Sequence, residues 1–273
     1  MSPDPRPSDP RPRDHRIATP QGEIFARSWE PEGEAGSASD AAPAILLVHD
    51  SLGAVTLWRD FPEALARATG RRVVAYDRLG FGRSAPRADR LKRGFIAEEA
   101  REIPPLLREA LEIGRFVVLG HSVGGGMAVE IGAAFPQDCA AVATISAQSF
   151  VEPRTLEGIR EAKAAFADPA ALERLARHHG EKARWVLDAW TETWLAPEFA
   201  DWTLDAALGR LTAPLLVLHG EQDEYGSAAQ PERLARLTQG PAEMRLLADC
   251  GHVPHREKPQ EVLRILSEFL KRP

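Results

Sequence analysis

Short apolar runs punctuate this chain at regular intervals: Ala44 to His49, Arg72 to Tyr76, Phe116 to Leu119, Ala141 to Ile145, Pro214 to His219 and Met244 to Leu247. Between them, apolar residues recur at helical spacing in Trp58 to Thr69, Glu98 to Ile113, Met127 to Phe135 and Pro259 to Leu270. Strand-like and helix-like segments that alternate this way predict an α/β fold, a mostly parallel central sheet flanked by helices. Gly70 stops the first helix. Pro104-Pro105 is expected to break or kink the second. Arg16 to Ala18 and Glu23 to Trp29, split by Pro20-Gln21-Gly22, read as a hairpin.

The alternation stops between residues 147 and 211, where the pattern is helical only. Asp168 as N-cap, Pro169 in the first turn and Gly180 at the end mark one helix. Arg154 to Phe166, Lys182 to Leu195 and Leu204 to Leu211 read as others. The expected organisation is therefore a core of residues 15–146 and 212–273, with residues 147–211 as an all-helical lid. Residues 1–14 are rich in proline and mixed charge, which predicts a disordered tail. Glu32 to Ala42, rich in Gly, Ala and Ser, reads as a loose surface loop.

Composition narrows the function. With 273 residues, 44% of them hydrophobic, the chain can bury one large α/β core. A net charge of −6 argues against nucleic acid or an anionic membrane surface as partner. No apolar run is long enough to span a bilayer, and the N-terminus has no apolar core of a secretory signal. Two cysteines, Cys139 and Cys250, form no disulfide framework and suit a reducing compartment, so a cytoplasmic location is expected. No Cys/His cluster has metal spacing, and neither a metal nor a cofactor is expected. The oligomeric state is left open.

The sharpest chemical signal is Gly120-His121-Ser122-Val123-Gly124-Gly125, set between the strand Phe116 to Leu119 and a helix. Strand, Gly-x-Ser-x-Gly and helix in that order form a nucleophile elbow, which exposes a serine hydroxyl on a tight turn. Ser122 needs a base and a group to orient that base. His252, in Asp249-Cys250-Gly251-His252, is the base candidate, with His255 its rival. Asp223, in Gly220-Glu221-Gln222-Asp223, is the acid candidate, with Glu221 and Glu224 its rivals. The chain order Ser, acid, His suits one class of triad. The oxyanion donors are expected to be the N–H groups of Val123, just after the nucleophile, and Ser51, in the loop after the strand Ala44 to His49. Loss of one such donor typically costs about 3 kcal/mol of transition-state stabilisation.

These residues resemble the α/β-hydrolase superfamily. The resemblance spans residues from about 15 to 270. It rests on Leu46-Leu47-Val48-His49, Asp77-Arg78-Leu79-Gly80-Phe81-Gly82-Arg83-Ser84, the elbow, Leu218-His219-Gly220-Glu221-Gln222-Asp223, and Gly251-His252-Val253-Pro254 leading to Glu257. One departure is His49-Asp50, where relatives commonly carry His-Gly. A carboxylate aimed into the oxyanion hole would repel the oxyanion, so Asp50 is expected to face away, toward Arg78 or Arg83. Asp77 and Ser84 are expected to hold a turn. A serine at the elbow, where haloalkane dehalogenases and epoxide hydrolases use aspartate, sets those activities aside; the elbow also lacks the Gly-Gly-Ser-Trp-Gly form of proline iminopeptidases.

The expected activity is that of a serine hydrolase on a small, apolar ester, lactone or thioester. Two alternatives stand beside it: carbon–carbon bond hydrolysis of a ring-fission product, whose enzymes usually carry Asn where this chain has His121, and a non-enzymatic ligand-binding module on the same fold. Trp190 and Trp194, one helical turn apart, are candidates to roof the substrate pocket. His178-His179 sits at a helix end, where the dipole suffices to account for it.

Overall fold

The structure, a computed structural model, describes residues 12–31 and 42–271. Residues 1–11 of the expected tail and 32–41 of the expected loop lie outside the described residues. An eight-stranded sheet runs through the chain: β1 (Pro12–Thr19), β2 (Gly22–Trp29), β3 (Ala44–Val48), β4 (Val73–Tyr76), β5 (Phe116–His121), β6 (Cys139–Ile145), β7 (Leu215–Gly220) and β8 (Ala242–Leu247). Their spatial order is β1-β2-β4-β3-β5-β6-β7-β8. β1 and β2 form the expected antiparallel hairpin and β2 meets β4 antiparallel; every other pair is parallel. β1 already begins at Pro12, so residues 12–14, expected in the tail, are paired in the sheet.

The apolar runs are continuous because each strand feeds two cores. Val118 of β5 and Leu46 of β3 pack on one face of the sheet, with α2 (Phe95–Ala110) and α3 (Val123–Ala134). Val117 and Ile45 pack on the other, with α1 (Phe61–Thr69) and the closing helix α10 (Pro259–Leu270). A parallel strand buried on both faces has no polar side to show.

Pro104-Pro105 does not interrupt α2, which is one helix across both prolines. The expectation weighed the two missing N–H donors and the ring clash. It omitted the buried stripe of Ile96, Ala100, Ile103 and Leu107, which holds both halves of the helix against the core. Pro104 is itself buried there, and Pro105 is exposed.

Between β6 and β7 lies a helical insertion: α4 (Pro153–Ala165), α5 (Pro169–His179), α6 (Ala183–Trp194) and the short α7 (Asp205–Leu208). Asp168 caps α5 as expected, its carboxylate accepting from the Ala170 N–H at 3.0 Å. The remaining helices are α8 (Ala229–Leu237) and α9 (Pro254–Glu257). The end of α5 ties the insertion to the core. His179 Nδ1 accepts from the Gly82 N–H at 2.9 Å, and its Nε2 donates to the Leu52 carbonyl at 3.0 Å. Lys182 Nζ donates to the Gly82 carbonyl at 2.8 Å. Burial pushes the His179 pKa down to about 4, so this ring is neutral. A charge–dipole account of it fails; it is a hydrogen-bonded clasp between two core loops.

The strand order reverses around β3, since the chain passes from β3 to β4 and then returns to place β5 on the other side. The carboxyl ends of β3 and β5 lie side by side there, with Val48 paired to Gly120. A crevice at such a switch point is where open α/β sheets bind ligands. Two glycines allow the close approach. A Cβ on Gly120 would lie 1.9 Å from the Gly124 carbonyl oxygen, and one on Gly124 would lie 2.2 Å from that of Val48. Gly120→Ala is therefore expected to destabilise the fold by about 2 kcal/mol or more through backbone overpacking, read as a fall in thermal midpoint against the wild type.

Candidate active site

The turn from β5 into α3 forces Ser122 to φ 56° and ψ −124°, a backbone region that L-residues rarely occupy. Its N–H donates to the Ile145 carbonyl at 2.9 Å, which ties the turn to the end of β6. Strain of this kind persists only where surrounding structure holds it. Ser122 opens onto a cavity of about 210 Å³ that it shares with Ser51, His252, Trp190 and Trp194. The two tryptophans come from α6. The N–H groups of Ser51 and Val123 have no acceptor among the described residues.

Asp223 is fully buried just past β7, where it meets the His252 ring. His252 Nδ1 donates to its Oδ2 at 2.8 Å and approaches Oδ1 at 2.9 Å. Oδ1 also accepts the N–H groups of Tyr225 at 2.8 Å and Gly226 at 3.1 Å. Burial would raise the Asp223 pKa, but the His252 hydrogen bond and the nearby imidazoles outweigh it and hold it below the usual range. The carboxylate fixes the proton on Nδ1 and leaves Nε2 with its lone pair. The loop carrying His252 is clamped from both sides: Glu257 accepts from the N–H groups of Gly251 at 2.7 Å and Val253 at 2.9 Å.

No hydrogen bond joins Ser122 to His252. The Ser122 hydroxyl donates instead to Gln148 Oε1 at 3.3 Å. Gln148 is buried just past β6 and was not among the sequence candidates; its position at the carboxyl end of a parallel strand was the available signal. Tyr225, two residues after Asp223, was missed as well. Its ring stands edge-on to the His252 imidazole with centroids 4.8 Å apart. Thr155 and Ile159 of α4 also line the cavity.

The rival residues fall elsewhere. His255 is buried against Trp58, Phe61 and His121, away from the cavity, and burial drives its pKa well below the ordinary value. Glu221 is exposed. Glu224 accepts the His252 N–H at 3.2 Å and so braces the loop rather than the ring. Asp77 and Ser84 hold the turn expected of them. Asp77 accepts the N–H groups of Val55 at 2.6 Å and Arg83 at 2.7 Å, while the Ser84 hydroxyl donates to the Asp77 carbonyl.

Asp50 forms no ion pair with Arg78 or Arg83, the partners expected of it. Only its carbonyl meets Arg78, whose Nη2 donates to it at 2.9 Å; the His49 Nδ1 donates to the same oxygen at 2.8 Å. Asp50 is one of the residues lining the cavity, and its carboxylate stands beside His121, with Oδ2 3.9 Å from Nδ1. Arg78 stacks on the face of Phe81, 4.1 Å from the ring centroid, and feels the Asp50 charge without forming an ion pair with it. His121 is no cation to pair with Asp50, because burial lowers its pKa to about 4 and its Nε2 donates to the His252 carbonyl at 2.8 Å.

Among the described residues no group of three or more His, Cys, Asp or Glu is arranged to hold a metal ion, and no helix is long and apolar enough to cross a membrane. Residues 43–259 match the family described as the alpha/beta hydrolase fold. The chain belongs to this family. A 2-hydroxy-6-oxononadienedioate/2-hydroxy-6-oxononatrienedioate hydrolase of Paraburkholderia xenovorans is 27% identical, over 90% of this chain and 94% of its own. The solved structure of a 2-hydroxy-6-oxo-6-phenylhexa-2,4-dienoate hydrolase from a Rhodococcus strain superposes with a TM-score of 0.77 at 20% identity, covering 96% of this chain and 100% of that one. A carboxylesterase from Bacillus subtilis superposes with a TM-score of 0.70 at 20% identity, covering 96% and 92%.

Of the eight histidines, only His252 has its pKa raised. Burial alone would lower it, but the Asp223 hydrogen bond and charge, then Glu224 and Asp50, outweigh burial. The other seven are lowered, with burial the largest cause for each. NMR titration of the imidazoles should find His252 titrating above the ordinary value, and Asp223→Asn should bring it down. Stability should fall as pH drops below about 6.5, where the unfolded chain binds protons that buried His121 and His179 refuse until about 4. Each such ring contributes about 1 kcal/mol to that loss one pH unit below its unfolded value. Denaturant midpoints measured between neutral and mildly acid pH check the sign.

Proposed function

We propose that this protein is a serine hydrolase of small, apolar carboxylic esters, lactones or thioesters. The observation that carries the reading is the buried Asp223–His252 pair opening onto the same cavity as the strained Ser122. Ser122 attacks the carbonyl carbon as its hydroxyl turns from Gln148 toward His252 Nε2, which takes the proton. The imidazolium that forms is stabilised by Asp223. The Ser51 and Val123 N–H groups receive the oxyanion; donors with no partner in the resting protein need no rearrangement to do so. His252 then protonates the leaving group and activates water on the acyl-enzyme. The helices of the insertion act as the lid, and Trp190 and Trp194 offer an apolar wall to the acyl or alcohol group. The size of the cavity favours small substrates.

Carbon–carbon bond hydrolysis is the second reading, supported by the likeness to the oxononadienedioate hydrolase along nearly the whole chain. It would use the same serine, histidine and aspartate.

The purified protein should turn over p-nitrophenyl acetate and butyrate repeatedly, and a fluorophosphonate probe should label Ser122. Ser122→Ala should lose both, with a fall in kcat of at least about a thousandfold, and Asp223→Asn should lose about as much while the fold is kept. Equal turnover by Ser122→Ala would remove the serine from the mechanism. Absence of labelling at Ser122 in the wild type would leave a binding module on this fold.

A further inference from the structure

The wall of the cavity carries two carboxylates and no lysine or arginine. Asp50 stands on the loop after β3, and Glu224 stands on the loop after β7, beside His252. The nearest arginines, Arg78 and Arg256, feel the Asp50 charge but form no ion pair with it. Arg78 is held by the Asp50 carbonyl and stacked on Phe81, and Arg256 donates to the Leu57 carbonyl. Neither lines the cavity, and no lysine or arginine lies within ion-pairing distance of the Asp50 or Glu224 carboxylates among the described residues. Beyond Ser122, His252 and a few uncharged polar groups such as Gln148 and Thr155, the wall is apolar or aromatic, with Leu52, Ile159, Trp190 and Trp194. The Trp190 and Tyr225 rings meet edge-to-face at 5.9 Å. Aromatic faces and carboxylates both attract cations, and both lower the affinity of anions.

We propose that this cavity selects its substrate by charge, admitting uncharged or ammonium-bearing esters and rejecting those that carry a carboxylate. The proposal rests on the reading of this cavity as the substrate site. A carboxylate-bearing substrate entering here would meet Asp50 and Glu224 with no fixed cation to replace its lost hydration, which is a large penalty in a partly enclosed site. An alkylammonium would instead gain the two carboxylates and the tryptophan faces. A dianionic acid, of the kind in the name of the oxononadienedioate hydrolase, is thus disfavoured by this wall, and the ester reading gains over the carbon–carbon reading. Asp50 acquires a role as a specificity residue, which explains why a carboxylate replaces the smaller glycine on this loop. Its charge also favours the imidazolium form of His252, offsetting part of its repulsion of the oxyanion.

The test compares p-nitrophenyl hydrogen adipate with methyl p-nitrophenyl adipate, which differ only in the remote carboxylate, at low ionic strength. The wild type should favour the methyl ester in kcat/KM by at least about tenfold. Asp50→Asn/Glu224→Gln should shrink that ratio to about threefold or less, whatever it does to the absolute rates. Equal rates on the two esters in the wild type, or a ratio untouched by the double variant, would overturn the proposal. A second arm needs no turnover: binding of phenylbutylamine and phenylbutyrate to Ser122→Ala, followed by quenching of the tryptophan fluorescence. The amine should bind at least about tenfold tighter than the acid, and the double variant should erase the difference. The acid binding as tightly as the amine would refute charge selection. Should the wild type hydrolyse neither adipate and resist the fluorophosphonate, the ester reading falls, and the binding arm alone still decides the charge of the ligand.

Discussion

Everything at the site depends on how closely three pieces of backbone approach one another at the carboxyl ends of β3 and β5. The Gly124 carbonyl lies against Gly120, and the Val48 carbonyl lies against Gly124, at distances that leave no room for a side chain. That contact holds Ser122 at positive φ and lifts its hydroxyl into the crevice. It also sets the start of α3 against the backbone that leads from β3 into the loop of Ser51. The reversal of strand order around β3 opens the crevice, and the glycines let the elbow sit in it.

Around this rigid centre the electrostatics sort the histidines. Burial lowers the pKa of seven of the eight, and all of these but His255 hydrogen-bond to their surroundings. His49 and His179 tie loops together, and His121 holds the carbonyl of His252. His252 alone is surrounded by enough negative charge to favour its protonated form, which is the state a general base reaches after taking a proton. The carboxylates responsible differ in their work. Asp223 is sequestered and orients the ring, Glu224 braces the backbone, and Asp50 stands beside His121 at the cavity.

Much of the site was legible because its chemistry is written in short local patterns. Gly-x-Ser-x-Gly after an apolar run fixes the turn by sterics alone, and the loops ending in Asp223 and His252 each follow a recognisable strand. The residues that escaped notice, Gln148, Tyr225, Thr155 and Ile159, carry no pattern of their own; they matter because the fold brings their elements to one cavity. Asp50 was noticed as a departure and then assigned arginine partners with which it forms no ion pair. The error came from pairing charges by proximity in sequence motifs, whereas Arg78 was already committed to the loop carbonyl and to Phe81. The break expected at Pro104-Pro105 failed for a similar reason, since local propensity yielded to a buried stripe about three turns long.

The sequence by itself determined the α/β alternation, the hairpin, the elbow, the caps of α5 and the order of the three polar groups, because each depends on sterics or periodicity within a few residues. Tertiary structure decided which histidine meets which carboxylate, that His179 clasps two loops in its neutral form, that α2 survives its prolines, and that the cavity wall is negative. Those outcomes follow from desolvation and from contacts between segments tens to hundreds of residues apart, and no local pattern encodes the sum of such neighbours.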